Sequence, residues 1–298
     1  MCDDDIHQGQ AEATTVSRRA FNLMWAATAG VGTALGMGRA ARAAEAAVIE
    51  KDVEVKTADG VADSVLFHPP GKGSWPAVLI WTDIFGLRPV FRDMGRRLAA
   101  QGYVVLVPNP FYRSKRAPVV PEGFDFAKPE NRAVLMGFRG AMTDAAVDRD
   151  AAAFVAFLDA QPQTNTKKPI GVQGYCMGGP LTFRTTAVAA GRVGAAATFH
   201  GGGLVAQNHD DPASPHKLIP AFTRAEVYCA VAANDDKAQP DAKDVLKASF
   251  AAAKVPAKVE VYDGCAHGWT VKGSAVYDAA GAERAWAELT ALYKRRLV

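Results

Sequence analysis

A cysteine stands in a glycine-rich turn between a predicted strand and a predicted helix. The segment GYCMGG at residues 174–179 directly follows a strand predicted at residues 170–173. A G-x-C-x-G turn in this setting holds a nucleophile above the end of a strand, because its small neighbours permit a strained backbone. The N-terminus of the following helix favours a thiolate. The sequence therefore predicts Cys176 as a nucleophile, and the alternative is a buried structural cysteine.

Two further groups needed for nucleophilic catalysis follow Cys176 in the chain. His267 lies in the loop YDGCAHGW at residues 262–269, just past the last predicted strand, where it can reach the thiol. Asp235 and Asp236 follow the preceding strand, and either carboxylate could orient the histidine. We favour Asp236, which lies four residues before the proline that opens the next helix. The predicted triad is Cys176, His267 and Asp236, with Asp235 as the alternative acid.

Stabilisation of an oxyanion would require two backbone N–H donors near Cys176. The predicted donors are Met177, the residue after the nucleophile, and Ile84, in the loop DIFG at residues 83–86. The run HGGG at residues 200–203 mimics an oxyanion motif that normally precedes the nucleophile, whereas here it follows. We interpret it as a strand exit at which the backbone packs near the site. His200 and His216 receive no predicted role.

The pattern of apolar residues predicts the elements that hold these groups. Two alternating stretches, 49–56 and 62–68, predict an opening antiparallel pair, and continuous apolar runs at 77–82 and 103–107 are typical of buried parallel strands. Further strands are predicted at 170–173, 195–199, 226–232 and 258–262. Helices are predicted at 88–101, 144–158, 178–190, 241–253 and 279–297, and residues 109–131 are predicted to be irregular. This alternation predicts a single α/β domain, with a mainly parallel sheet, helices on both faces and an active site at the carboxyl ends of the strands.

The N-terminal segment has the features of an export signal. The pattern S-R-R-x-F-x-L spans residues 17–23, a short apolar run extends to residue 37, and A-x-A stands at residues 41–43. This order resembles a twin-arginine signal, so we predict cleavage of residues 1–43 and a mature domain at 44–298. The expected location is periplasmic or secreted, without stable membrane insertion after cleavage. The sequence A-E-A at residues 44–46 is the alternative cleavage site. An uncleaved amphipathic anchor and a chance arginine pair are the alternatives to an export signal.

Composition narrows the range of partners. The net charge is only +3, without a dense basic stripe, so no nucleic-acid partner is expected. The four cysteines form no CxxC pair and the histidines no HExxH motif, so nothing predicts a metal site. We expect a small-molecule partner and leave the choice between a monomer and a small homo-oligomer open.

Four segments together resemble the dienelactone hydrolase family of the α/β-hydrolase superfamily. They are WTDIFGL (81–87), VPNPFY (107–112), GYCMGG (174–179) and YDGCAHGW (262–269), and the likeness covers nearly the whole mature chain. The resemblance implies a single-domain α/β-hydrolase with a Cys-His-Asp triad and no cofactor. It also implies cleavage of an ester or lactone through a thioester. The type reaction, that of carboxymethylenebutenolidase, opens an unsaturated lactone that carries a carboxylate.

Two residues depart from the pattern of the family's type enzymes. Asp83 stands where those enzymes carry a Glu that contacts and activates the thiol, so we assign Asp83 to thiol activation or substrate contact. Val271 stands where they carry an Arg that binds the substrate carboxylate, and Arg132 or Arg139 are candidates for a second such arginine. An ester or lactone of another shape is therefore at least as well supported as dienelactone.

Two other functions remain alternatives to hydrolysis. One is a non-catalytic small-molecule-binding module with the same fold. The other is a thiol redox-regulated protein in which Cys265, two residues before His267, pairs with Cys176. The simpler interpretation is that Cys265 is a small buried side chain and that Cys229, inside a predicted strand, belongs to the core.

Overall fold

A computed structural model describes residues 47–298, and the predicted export signal lies outside this range. The described residues form eight strands: β1 (Ile49–Thr57), β2 (Gly60–His68), β3 (Ala77–Trp81), β4 (Val104–Pro108), β5 (Ile170–Tyr175), β6 (Val193–Phe199), β7 (Glu226–Ala232) and β8 (Ala257–Tyr262). They also form seven α-helices: α1 (Pro89–Ala99), α2 (Pro129–Gly140), α3 (Asp144–Asp159), α4 (Gly178–Val188), α5 (Ala233–Ala238), α6 (Ala242–Ala252) and α7 (Ala279–Leu297).

All eight strands belong to one sheet in the order β1-β2-β4-β3-β5-β6-β7-β8. Strand β2 is antiparallel to both β1 and β4, and every other neighbouring pair is parallel. This arrangement confirms the predicted α/β class, the mainly parallel sheet and the opening antiparallel pair. Because β5, β6, β7 and β8 are consecutive and parallel, the loops that follow them meet at one edge of the sheet.

The core consists of two layers, one on each face of the sheet. Successive residues of β3 alternate between them, since Leu79 packs in the first cluster whereas Val78 and Ile80 pack in the second. Helices α3, α4 and α6 cover the first face, and α1 and α7 cover the second. A strand covered on both faces must be apolar throughout, which explains the continuous runs in the sequence.

Local signals fix where several helices begin. The Thr143 side chain accepts a hydrogen bond from the Ala146 N–H at the start of α3, and Asp278 accepts one from the Gly281 N–H at the start of α7. Each cap satisfies a backbone N–H that the helix itself cannot. Helix α2 begins at Pro129, inside the segment predicted to be irregular, so that prediction is wrong for residues 129–131. None of the helices in residues 47–298 is long and apolar enough to cross a membrane.

Candidate active site

Four loops bring potential catalytic groups together at the carboxyl edge of the sheet. Cys176 follows β5, His200 follows β6, Asp235 lies in α5 directly after β7, and His267 follows β8. Cys176, His200 and His267 line one cavity of about 610 Å³, while Asp235 stands behind His267. The structure therefore places the predicted residues Cys176 and His267 together at the carboxyl ends of the parallel strands.

The turn around Cys176 is tight and leaves no space for larger neighbours. Cys176 has a φ of 51°, in the left-handed region that residues other than glycine rarely adopt. A Cβ on Gly174 would lie 2.0 Å from the carbonyl oxygen of Gly178, and one on Gly178 would lie 2.7 Å from that of Trp81. The glycines of the motif are therefore required by the backbone, and strain of this kind is typical of functional sites.

His267 is held by two hydrogen bonds from the segment after β7. Its backbone N–H donates to the Asn234 side-chain oxygen at 2.7 Å, and its ring Nδ1 donates to Oδ2 of Asp235 at 2.8 Å. The other ring nitrogen, Nε2, is buried. Because Asp235 fixes Nδ1 as the donor, Nε2 is the nitrogen left for proton transfer.

The surroundings of His267 favour its protonated form. Burial works to lower the pKa of His267, but the negative charge of a Cys176 thiolate, hydrogen bonding to Asp235 and to Cys176, and the charge of Asp235 raise that pKa well above the usual value. His267 and Cys176 line the same cavity, and the charges of the two groups act on each other. The cavity thus presents a thiol and a histidine whose Nδ1 is bound to a carboxylate, which are the group types that nucleophilic catalysis uses.

The expected acid, Asp236, does not contact His267. Its Oδ1 instead accepts a hydrogen bond from Nζ of Lys243 in α6 at 2.7 Å, and the two side chains form an ion pair. The reason is the short helix α5, in which successive side chains point about 100° apart. Only one of two adjacent aspartates can then face the histidine, and in this chain it is Asp235. The choice of Asp236 as the histidine's partner is corrected to Asp235, the alternative.

His200 is a site residue that the sequence analysis left without a role. Its ring lies edge-on to that of His267, with centroids 4.9 Å apart, and its Nε2 is 2.9 Å from Oγ1 of Thr270. Burial, followed by the charge of His267, lowers the pKa of His200 well below the usual value. The neutral His200 ring thus packs against the ring of His267. The only sequence signal was its position directly after a predicted strand.

The glycines after His200 pack against the nucleophile turn, as predicted for a strand exit. The Gly202 N–H donates to the carbonyl oxygen of Cys176 at 3.3 Å. A Cβ on Gly179 would lie 2.7 Å from Cα of Gly201. These contacts make the run HGGG part of the support for the nucleophile turn.

The two predicted oxyanion donors flank the cysteine. Met177 follows it with φ −51° and ψ −31°, immediately before α4 begins. Ile84 lines the cavity together with Cys176, in the loop after β3. Their positions permit the predicted role, which stays a prediction.

Asp83 also lines the cavity, but its carboxylate is bound within its own loop. Oδ1 accepts hydrogen bonds from the Phe85 N–H at 3.0 Å and from Nη1 of Arg88 at 2.5 Å, while Oδ2 accepts one from Nη2 of Arg88 at 2.7 Å. A bidentate pair of this kind is rigid. The structure therefore gives Asp83 a position that braces the loop carrying Ile84, and its predicted role in thiol activation stays a prediction.

The arginines considered for binding a substrate carboxylate do not line this cavity. Arg139 donates to the Met142 carbonyl oxygen at 3.2 Å, and the Arg132 guanidinium lies 5.9 Å from the centre of the Phe126 ring. Val271 does line the cavity, and so does Arg88, which the sequence analysis did not consider. Within the part of the chain that the structure describes, the cavity wall thus carries one arginine, Arg88, which is paired with Asp83.

The other described cysteines lie away from the cavity. Cys176, Cys229 and Cys265 are all free thiols. The Cys265 sulfur packs toward Gly281 of α7, where an added Cβ would lie 2.6 Å away, and Cys265 belongs to the core layer opposite to that of Cys176. Cys229 is fully buried in β7. Both thus have the predicted core positions, and a Cys176–Cys265 pair receives no structural support. Within residues 47–298 no group of side chains is arranged to hold a metal ion.

Comparison with known sequences agrees with this geometry. The model of the dienelactone hydrolase family matches residues 62–297. The carboxymethylenebutenolidase of Pseudomonas putida is 26% identical over 172 residues, which are 58% of this chain and 70% of that protein. The carboxymethylenebutenolidase of Rhodococcus opacus is 26% identical over 195 residues, 65% of this chain and 70% of that protein.

Solved structures show the same fold. A dienelactone hydrolase-like promiscuous phosphotriesterase from metagenomic libraries superimposes with a TM-score of 0.69 at 22% identity, over 85% of this chain and 100% of that one. The dienelactone hydrolase of Anabaena variabilis superimposes with a TM-score of 0.60 at 12% identity, over 84% and 99%. At these identities the likeness concerns the fold, and the sequence match carries the assignment. The chain therefore belongs to the dienelactone hydrolase family and is a hydrolase of the lactone and ester class.

Proposed function

We propose that this hydrolase cleaves a carboxylic ester or lactone by nucleophilic catalysis, with Cys176 as nucleophile, His267 as acid and base, and Asp235 as the group that orients His267. The observation that carries the proposal is the strained turn at Cys176 opposite a histidine fixed by a 2.8 Å bond to a carboxylate. A binding module would need none of these features together, so catalysis explains the arrangement better than binding does.

In the first half of the reaction, the Cys176 thiolate attacks the carbonyl carbon of the substrate. A carbon–sulfur bond forms and the carbonyl electron pair moves onto oxygen, where the N–H groups of Ile84 and Met177 are the proposed donors. Collapse of this intermediate breaks the bond to the leaving oxygen, which takes a proton from the His267 imidazolium. The acyl group is then held on Cys176 as a thioester.

In the second half, His267 accepts a proton from water, and the resulting hydroxide attacks the thioester carbonyl. The carbon–sulfur bond breaks, the carboxylic acid leaves and the thiolate re-forms beside the imidazolium. A thiolate is itself a good leaving group, so attack on a poor ester tends to reverse. The mechanism therefore favours activated substrates such as enol esters and enol lactones.

The test is hydrolysis of p-nitrophenyl acetate under reducing conditions by the natural protein, by Cys176→Ala and by a control, Cys229→Ala. We expect loss of nearly all activity in Cys176→Ala and near-normal activity in Cys229→Ala, because Cys229 lies in the core of the sheet. Iodoacetamide should label Cys176 at neutral pH, since a thiolate is the reactive form. Equal activity in Cys176→Ala and the natural protein would refute the proposal.

We also propose that the protein is exported by the twin-arginine route to the periplasm or beyond. The support is the order of the arginine pair Arg18-Arg19, the apolar run and the A-x-A site in the sequence. Replacing both arginines with lysine keeps the charge and should retain the protein in the cytoplasmic fraction of a bacterial host. Normal appearance of the double variant in the periplasmic fraction would contradict this route.

A further inference from the structure

Three phenylalanines form one wall of the cavity beside Cys176. The ring of Phe85 meets those of Phe124 and Phe126 edge-on, with centroids 6.4 Å and 5.6 Å apart. Phe126 is buried, whereas Phe85 and Phe124 remain partly exposed, and all three line the cavity that contains the nucleophile. We call these three rings the aromatic shelf. Partly exposed aromatic rings in a concave site are typical of a surface that receives an apolar group.

The shelf is assembled from two segments of the chain. Phe85 comes from the loop after β3, next to the proposed oxyanion donor Ile84, while Phe124 and Phe126 come from the irregular segment before α2. Val120 and Val271 extend the same apolar lining. The apolar surface therefore belongs to the cavity of the reacting cysteine, where it would contact a substrate.

Among residues 47–298, the fixed charges that line the cavity sum to zero. Asp83 and Arg88 cancel each other through their bidentate contact, and the remaining charged lining residues are one acid, Asp125, and one base, Lys272. The Arg88 guanidinium also lies 5.3 Å from the centre of the Phe85 ring, and its two Nη atoms donate to Asp83 and to the Gly86 carbonyl oxygen. A cavity without net positive charge gives little attraction to an anionic substrate.

We propose that the cavity selects uncharged esters or lactones that carry an aromatic or similarly bulky apolar group, which packs on the aromatic shelf. This inference rests on the proposed function, because it concerns the substrate of the same cysteine. It assigns Phe85 and Phe124 to specificity and gives the Asp83–Arg88 pair the role of keeping the cavity neutral.

The kinetic test uses three vinyl esters, which share one small activated leaving group and differ only in the acyl part. They are vinyl butanoate, vinyl 3-phenylpropanoate and monovinyl succinate, which are aliphatic, aromatic and anionic respectively. Release of acetaldehyde reports each reaction. We expect kcat/KM for the aromatic ester to exceed that for the aliphatic ester by about tenfold, as for an apolar group seated in a matching pocket. The anionic ester should be the poorest of the three.

Phe124→Ala should remove most of the preference for the aromatic ester, because kcat/KM for that ester should fall several-fold more than kcat/KM for vinyl butanoate. The matched control is Phe157→Ala, which truncates a partly buried ring of α3 that does not line the cavity and should keep the preference. Equal kcat/KM for the aromatic and aliphatic esters in the natural protein would overturn the inference. So would a preference for monovinyl succinate that is lost in Lys272→Met.

A binding measurement separates this inference from the proposed mechanism. Ligand-detected NMR with Cys176→Ala should show 3-phenylpropanamide bound more tightly than butanamide or 3-phenylpropanoate, and Phe124→Ala in the same background should abolish the difference. If Cys176→Ala hydrolyses the esters normally, the mechanism fails, while the amides still report on the shelf. Equal binding of all three ligands would overturn the proposed selectivity of the aromatic shelf, even if Cys176 is essential for hydrolysis.

Discussion

His267 and His200 are both buried and their ring centroids lie only 4.9 Å apart, yet their pKa values move in opposite directions. Burial acts on both rings in the same sense, because it disfavours the charged form. His267 overcomes this effect because its Nδ1 is bound to the Asp235 carboxylate and because the charge of the Cys176 thiolate favours the imidazolium. His200 has a hydroxyl partner, Thr270, and its Nδ1 is buried without a hydrogen-bond partner among the described residues.

The contrast shows what distinguishes the histidine that we propose as acid and base from the histidine that packs beside it. Position at a strand end and burial are common to both residues. Of the two histidines, His267 is the one that interacts with a carboxylate and a thiolate, and these charges favour its protonated form. The hydrogen bond to Asp235 also fixes the orientation of its ring. The neutral His200 beside it adds no like charge, so the imidazolium of His267 is not opposed.

The largest effect is expected from His267→Gln. This change removes the group that holds the thiolate, protonates the leaving oxygen and activates water, so kcat/KM should fall by about 10³-fold or more. Steady-state hydrolysis of p-nitrophenyl acetate measures the loss, and thermal unfolding checks that the variant is folded. Activity within tenfold of the natural protein would show that His267 is not the acid and base.

Asp235→Asn should be the next most damaging change, with kcat/KM reduced by about 10²-fold. The carboxylate helps to raise the pKa of His267, so its removal lowers that pKa. The alkaline limb of the rate, where the imidazolium loses its proton, should therefore move to lower pH. A pH profile of kcat/KM measures both effects.

The matched control for Asp235 is Asp236→Asn. It breaks only the ion pair with Lys243, of which each side chain is about one-quarter exposed, so activity should stay within about twofold and the pH profile should not move. A larger loss of activity in Asp236→Asn than in Asp235→Asn would instead support Asp236 as the acid that orients His267.

Substitution of His200 should have a smaller effect, because this residue acts through His267. His200→Ala opens space beside the catalytic ring and should lower kcat by about tenfold, whereas His200→Phe keeps a neutral ring and should stay within about threefold. The rate of Cys176 alkylation by iodoacetamide should follow the same order. Identical kcat values and alkylation rates in both variants and in the natural protein would show that His200 does not influence His267.

The smallest effect on activity is expected from Thr270→Val. The change removes the 2.9 Å contact to Nε2 of His200 and leaves that nitrogen buried without a partner. Stability should fall by about 1–3 kcal/mol, while kcat/KM changes less than about threefold. Denaturant unfolding measures the first quantity and the ester assay the second. A loss of activity without a loss of stability would give Thr270 a more direct role.

Much of this site was predictable from the sequence because its signals are local. The glycines around Cys176 report a turn that cannot accept a Cβ, and the apolar runs locate the strands that precede Cys176 and His267. Alternation of strands and helices then implies a parallel sheet whose carboxyl ends hold both groups.

The features that escaped prediction depend on side-chain direction or on distant contacts. Asp235 and Asp236 differ by one residue, and the short helix α5, too brief to leave a periodic pattern, decides between them. His200 belongs to the site because its ring packs against that of His267, and the two residues lie far apart in the sequence. Helix α2 was overlooked because the prolines before it resemble those of a loop, although Pro129 suits a first helical position.

The most direct test of the central claim is detection of the acyl group on Cys176. The protein is mixed with p-nitrophenyl acetate, quenched in acid during turnover, digested and analysed by mass spectrometry. We predict one acetyl group on the peptide that contains Cys176, with greater accumulation in Asp235→Asn if the slower step is hydrolysis of the thioester. Turnover of the ester with no acetyl group on Cys176, or with the group on another side chain, would contradict the proposed mechanism.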